Sequence, residues 1–322
     1  MENLALMQKY LRGINPEFAK VFVEGKDKYE PFVMGKEVKL FNYETEADYV
    51  STESEFTPYG YLPKVEVDGA NRTLVDRVMG YDTSWTQEMY SKGVEVSYMA
   101  AKFGKYKEQL NAFKGLVTGA QKTKDKIAFD LLVNADTTLL ADGQTLLDPA
   151  HPYPAGSVMA ASTWSNVIMN GAVQAELGPE ALRLAKKALM SHLLSDGTYA
   201  TSGVSNLALV VGPELAELAQ VFAGTDKAPL SANNDINTYK GIMKVVVSPY
   251  LSTANGGNDN MWFLADLDAV DLRIKVSEDI TKTEDMDTKN LTKSYYVHEI
   301  LAAKAASARG IAGAMVPGSA WS

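Results

Sequence analysis

GKYKEQLNAFKGLVTGAQKTKDKIAFDLLVN, residues 104–134, is the stretch whose reading decides the fold. Tyr106, Leu110, Phe113, Val117, Ala120, Ile127 and Leu131 recur at alternating steps of four and three, and only Lys124 breaks the series. That spacing puts one apolar stripe along one face of a helix, and no proline interrupts it. A helix of about 30 residues is roughly 45 Å long at 1.5 Å rise per residue, longer than a small globular core needs. The spacing therefore predicts an organising helix against which other elements lean. Gly104 stands at its entry. Gly115 and Gly119 lie inside it, each costing about 1 kcal/mol relative to alanine, and small residues four apart allow either a close approach or a bend. The polar face carries Lys105, Lys107, Lys114, Lys122, Lys124 and Lys126 against Glu108, Asp125 and Asp130.

This basic helix sits in an acidic chain. The 322 residues carry a net charge of −9 and are 46% apolar, enough for one large domain or two ordinary ones. The acidic balance argues against general nucleic-acid binding through a basic surface. Without cysteine there is no disulfide framework and no thiolate site. No run of 18 apolar residues suggests a membrane span. The N-terminal MENLALMQKYLRGINPEF has an acid at position 2 and no apolar h-region, which does not fit a signal peptide.

Upstream of the long helix, Leu4, Met7, Leu11 and Ile14 share one side, and Pro16 restarts the pattern with Phe18, Val21 and Phe22. These helices are too short to make their own core and need a surface in this chain or the next. Residues 37–43 read as a strand. The region 44–90 has no clear core face and contains Pro58, Gly60, Pro63, Gly69 and Gly80, which points to an extended projecting hairpin or a mobile loop. Its acidic run, Glu44, Glu46, Asp48, Glu53 and Glu55, reads by itself as a solvated face. GVEVSYMAA (93–101) alternates as a strand and leads into the long helix.

Downstream, Asp142-Gly143 and DPAHPYPAG (148–156) are turn-rich. Pro179 opens a helix with Leu182, Ala185, Leu189, His192 and Leu193 on one side. An α/β rhythm follows: strand 206–211, a helix from Gly212 through Phe222, and strands 242–247, 261–265 and 270–276. Residues 277–291 read as charged and irregular, 292–301 as a long strand, and the small-residue tail as a strand ending near Pro317.

Little of this suggests chemistry. His151, His192 and His298 have no second ligand at metal spacing, and each reads as structural. Asp266, Asp268 and Asp271 cluster after a strand and are a weak candidate for a cation. No phosphate-binding glycine loop, dinucleotide fingerprint or nucleophile elbow occurs. The residues yield no catalytic, cofactor-binding or metal site and no cofactor, so the expectation is not an enzyme.

The order of elements resembles the major capsid proteins of tailed bacteriophages with the HK97-type fold. The phrases that carry the resemblance are GVEVSYM before one long helix, DGQTLLDPAHPYPAG (142–156), NLALVVGPEL (206–215), GIMKVVVSPYL (241–251), WFLADLDAVDLRIKVSEDI (262–280) and NLTKSYYVHEILAAKAASARGIAGAM (290–315). The resemblance implies an α+β fold in four parts. An N-terminal arm covers 1–43, and an extended E-loop covers 44–92. A peripheral P-domain covers 93–170 and 270–303, with helix 104–134 as its spine. An axial A-domain covers 171–269 and 304–322, with a central mixed sheet flanked by helices. It implies self-assembly into pentamers and hexamers of an icosahedral head shell enclosing phage DNA, with the protein in the virion after assembly in the host cytoplasm. Partners implied are further copies of itself through arm and E-loop, a separate scaffolding protein, a portal, a decoration protein and packaged DNA held without sequence preference, with no membrane. Because the arm starts within a few residues of Met1, scaffolding is expected from a separate chain. Lys64 has no aligned partner, so no covalent cross-link is expected. The acidic run and the lysine face are expected to meet across a subunit boundary. The competing readings are a soluble two-layer α/β enzyme and another phage structural protein of tail or decoration type.

Overall fold

The computed structural model describes residues 2–34, 38–55, 60–62, 78–200, 205–226 and 236–321. Two helices, α1 (Glu2–Gly13) and α2 (Asn15–Lys26), open the chain, with Pro16 in the first turn of α2, where its missing N–H costs nothing. Strand β1 (Phe41–Thr45) follows, then the antiparallel pair β2 (Val50–Ser54) and β3 (Asp82–Thr86). Strand β4 (Glu88–Ser97) runs on from it, longer at its start than the sequence suggests. It stops at Ser97 because the Ser97 hydroxyl accepts from the Ala100 N–H and caps a short helix, α3 (Tyr98–Lys102). The expected strand through Ala101 therefore ends four residues early. Gly104, at φ 66°, supplies the left-handed turn between α3 and the long helix α4 (Lys107–Val133).

After α4 come α5 (Pro179–Ser191), β5 (Leu207–Val211), α6 (Ala216–Gly224), β6 (Met243–Val247), β7 (Trp262–Asp266), β8 (Asp271–Asp287), β9 (Thr292–Ser307) and β10 (Ile311–Ala314). Strands β8 and β9 correct the reading of 277–291 as irregular. They form one long antiparallel ribbon with register shifts near Val276 and Glu278. Those shifts, together with the charged residues of a largely solvated ribbon, hide the period of two.

Two sheets result. The first has the order β1-β8-β9-β4, with β1 parallel to β8 and the rest antiparallel. The second has the order β6-β5-β7-β10, with β5 and β6 parallel. Strands β5 and β7 are buried at every position, as their unbroken apolar runs require when both faces are covered. One face, with Leu207, Leu209, Trp262 and Leu264, packs on α5 and α6. The other, with Ala208, Val210, Phe263 and Ala265, joins a core that includes Phe129, Leu132 and Val133 of α4 and Leu272 and Ile274 of β8. The C-terminal part of α4 thus lies in one apolar core with both sheets. Its N-terminal part packs Phe113 and Val117 against Phe18 and Tyr295.

Burial along α4 corrects the alternating series. The buried positions are Phe113, Val117, Gln121, Lys124, Ala128 and Leu132, with Asp125, Phe129 and Val133 beside them. Steps of four, four and three average 3.67 residues per turn, which tracks a straight helix, whereas alternating four and three slips about 20° per heptad. Ile127 and Leu131 are accordingly only half-buried. Neither Gly115 nor Gly119 admits a close neighbour, since a Cβ at either meets nothing within 4 Å. The close approach is made by Gly25 of α2, where a Cβ would lie 2.8 Å from that of Val117.

Gly310 makes the turn from β9 into β10. Its φ is 82°, and a Cβ would stand 2.5 Å from Ala269 C and Val270 N. Gly310→Ala combines a left-handed backbone penalty with a clash against main chain and is expected to cost about 2–4 kcal/mol, read as a lowered urea midpoint.

Candidate interaction surfaces

The described residues of the β2–β3 hairpin include several exposed apolar side chains. Residues 56–59 and 63–77, including Lys64, at which no cross-link is expected, lie outside the described residues. At the described rim, Leu62 is 96% exposed and Tyr61 and Tyr49 are largely exposed.

The root of this hairpin is held by charge. Lys275, on β8, is 1% exposed. Its ammonium reaches Glu46 at 3.2 Å, Ser51 at 3.2 Å and Glu53, and stands 4.2 Å over the Trp85 ring. Burial works to lower the Lys275 pKa, but hydrogen bonds to Glu53 and Glu46 more than offset it and hold the ammonium charged. Arg273 pairs with Glu53 and Asp271, and Arg309 with Glu55 at 2.6 Å. The acidic run therefore finds its cations in its own chain. Glu44, Glu46, Glu53 and Glu55 are thus already paired, and Lys124, one of the lysines expected to meet the run across a subunit boundary, is buried.

Lys124 is 1% exposed. Its ammonium binds Asp279 of β8 and stands 3.9 Å from Glu299 of β9. Burial pushes Asp279 upward, but the Lys124 hydrogen bond and charge prevail and hold it below the usual carboxylate range. Glu299 is pushed up to about 7, first by burial, with Lys124 opposing. Beside it, Asp125 accepts from the Tyr29 hydroxyl and, at 3.1 Å each, from the N–H groups of Phe32 and Val33. The spacing set position 124 on the apolar stripe, but residue type alone put Lys124 and Asp125 on the polar face, and nothing in the sequence indicated their buried partners.

All three histidines are largely buried and make contacts within the fold. His298 contacts Glu278 at 3.2 Å. His151 and His192 lie on either side of Trp164, with ring centroids 4.4 and 4.6 Å away. His151 Nδ1 meets Asp142 at 2.7 Å, and His192 Nε2 donates to the Ser165 carbonyl at 3.0 Å. Burial pulls His192 down to about 4. A neutral native imidazole binds fewer protons than the unfolded one between about 4 and 6.5, so its contribution falls as pH drops through that window. Glu299 has the opposite sign, since its raised native pKa favours the fold at pH below about 7. The two limbs offset each other in the wild type and only variants separate them. His192→Gln is expected to remove about 2–3 kcal/mol of the loss between pH 6.5 and 4, measured by urea unfolding across that range.

Asp266, Asp268 and Asp271 do not converge on a cation: Asp266 accepts from the Asp268 N–H, and Asp271 turns to Arg273. Among the described residues no group of acids and histidines could hold a metal ion, and no helix is long and apolar enough to cross a membrane.

No curated protein matches the chain as a relative. Among solved structures, a chain of the "Capsid of native GTA particle" superposes with a TM-score of 0.53 at 10% identity, covering 87% of this chain and 89% of that one. A chain of the capsid of Cyanophage P-SCSP1u superposes with a TM-score of 0.50 at 11% identity, over 90% and 93%. At such identities the likeness speaks for the fold alone. The family model described as "Phage capsid protein" matches residues 80–314, from the end of the hairpin to the last strand of the second sheet. The chain belongs to the phage capsid protein family and carries its α+β, HK97-type fold.

Proposed function

We propose that this chain is the major capsid protein of a phage head, and that its copies tile an icosahedral shell as pentamers and hexamers around the genome. Family membership over residues 80–314 carries the reading. The hairpin supports it: large apolar side chains at Tyr49, Tyr61 and Leu62 stand exposed, which suits an element covered by a neighbouring subunit. We assign 1–43 to the arm, 44–92 to the E-loop, 93–170 with 270–303 to the P-domain and 171–269 with 304–322 to the A-domain. The role is structural rather than catalytic and its place is the virion, after assembly in the host cytoplasm. Scaffolding, portal and decoration proteins are the further partners, and the net charge of −9 suits a wall that does not grip packaged DNA. Light scattering after size exclusion tests this reading. Capsomer-sized or larger particles are expected, and a monomer persisting at every concentration, alone and with phage scaffolding protein, contradicts it.

A further inference from the structure

The sequence holds two Asn-Gly pairs, Asn170-Gly171 and Asn255-Gly256, and the fold holds them differently. The first lies at the tip of a tight hairpin between the short antiparallel strands Met169–Asn170 and Val173–Gln174. Gly171 takes the first central position of that turn at φ 67°, as a two-residue hairpin of this kind requires. Both Asn170 and Gly171 are exposed. Among the described residues, neither the Asn170 side-chain amide nor the Gly171 N–H makes a hydrogen bond. The second pair, also exposed, is tied at both ends. The Asn255 amide donates to the Pro249 carbonyl at 3.2 Å, and the Gly256 N–H donates to the Thr253 carbonyl at 3.1 Å. Crowding does not distinguish the two glycines, since a Cβ at either meets nothing within 4 Å. Hydrogen bonding does.

We propose that Asn170 is a site of spontaneous deamidation, a covalent change that needs only this chain and water. Asparagine is thermolabile, and a following glycine has no Cβ to hinder its nitrogen. The Gly171 nitrogen gives up its proton to solvent and bonds to Asn170 Cγ. The Cγ–Nδ2 bond breaks, and Nδ2 takes up a proton and leaves as ammonia. Water then opens the cyclic imide at either carbonyl, giving aspartate or isoaspartate. The sum is amide plus water to carboxylate plus ammonium ion. At Gly256 the donated hydrogen bond holds the proton on the nitrogen, and both bonds must break before the attack.

The product places a new negative charge beside Glu176 and Glu180, which border the same groove as Asn170. Isoaspartate also lengthens the main chain by a carbon atom where Asn170 pairs with Val173. The test is peptide mapping by mass spectrometry of the full chain, held folded at mildly alkaline pH in water enriched in heavy oxygen, which marks each conversion. Aspartate and isoaspartate are expected to accumulate at position 170 about tenfold faster than at position 255. In denaturing urea the two rates are expected to converge, because the hydrogen bonds that separate them are gone. Asn170→Gln, whose longer side chain closes a larger and slower ring, is expected to abolish the signal at 170 and leave that at 255 unchanged. Faster or equal conversion at 255 in the folded chain overturns the proposal. So does an intact Asn170 at a time when a synthetic peptide of the same local sequence has fully converted, or a rate difference that persists unchanged in urea.

Discussion

Asp125→Ala is expected to lower the stability of the chain by about 3–5 kcal/mol. The carboxylate is 1% exposed and accepts from the Tyr29 hydroxyl and the main-chain N–H groups of Phe32 and Val33. Those donors belong to the segment that carries the chain from α2 to β1. Truncation leaves them near the core without an acceptor, and each such orphan costs about 1–3 kcal/mol. A small cavity adds to the loss. Asp125→Asn keeps the volume and one acceptor oxygen, so a loss of about half that size is expected. Urea unfolding measures both. If alanine loses less than about 1 kcal/mol, Asp125 does not tie down this segment.

The second large effect is expected at Lys124→Met. Methionine matches the stem of the lysine but leaves Glu299 buried without its nearest cation, and Asp279 with Lys26 alone. Removing one partner of a buried pair costs about 3–5 kcal/mol. Asp279 is half exposed at its side chain and water can solvate it, so the lower end is expected. Lys124 opposes the rise in the Glu299 pKa, so in its absence Glu299 holds its proton to higher pH. The penalty is then smaller at pH 5 than at pH 8. Adding Glu299→Gln to Lys124→Met is expected to restore roughly half of the loss at pH 8, because no buried charge is stranded. A double mutant no better than the single one shows that Lys124 acts through packing alone.

These two residues mark where sequence reading stopped. The long helix was legible because apolar residues dominate its stripe, and Lys107–Val133 falls inside the expected 104–134. Its apolar positions were read with a period of 3.5, which agrees with burial at Phe113 and Val117, whereas at Ala120, Ile127 and Leu131 the buried position falls one residue later, at Gln121, Ala128 and Leu132. Leu207–Val211 and Trp262–Asp266 were legible for a different reason: strands covered on both faces are continuous apolar runs. Charge placement was not legible. Whether a lysine faces water or a buried carboxylate depends on which strand crosses beneath it, and Asp279 and Glu299 are 155 and 175 residues away from Lys124 in sequence. The same holds for the acidic run 44–55. Its partners on β8 and at Arg309 come from the far end of the chain, so local composition suggested a solvated face and a neighbour's lysines. The family was legible because it rests on the order of elements, which local errors of four residues do not disturb.

The central claim is that this chain builds a closed shell. Cryo-electron microscopy of particles formed on expression, alone or with phage scaffolding protein, tests it most directly. The account predicts icosahedral shells in which α4 lies tangentially within the wall and the β2–β3 hairpin crosses onto an adjacent subunit. A chain that stays monomeric under both conditions, or an assembly in which that hairpin touches no neighbour, contradicts it.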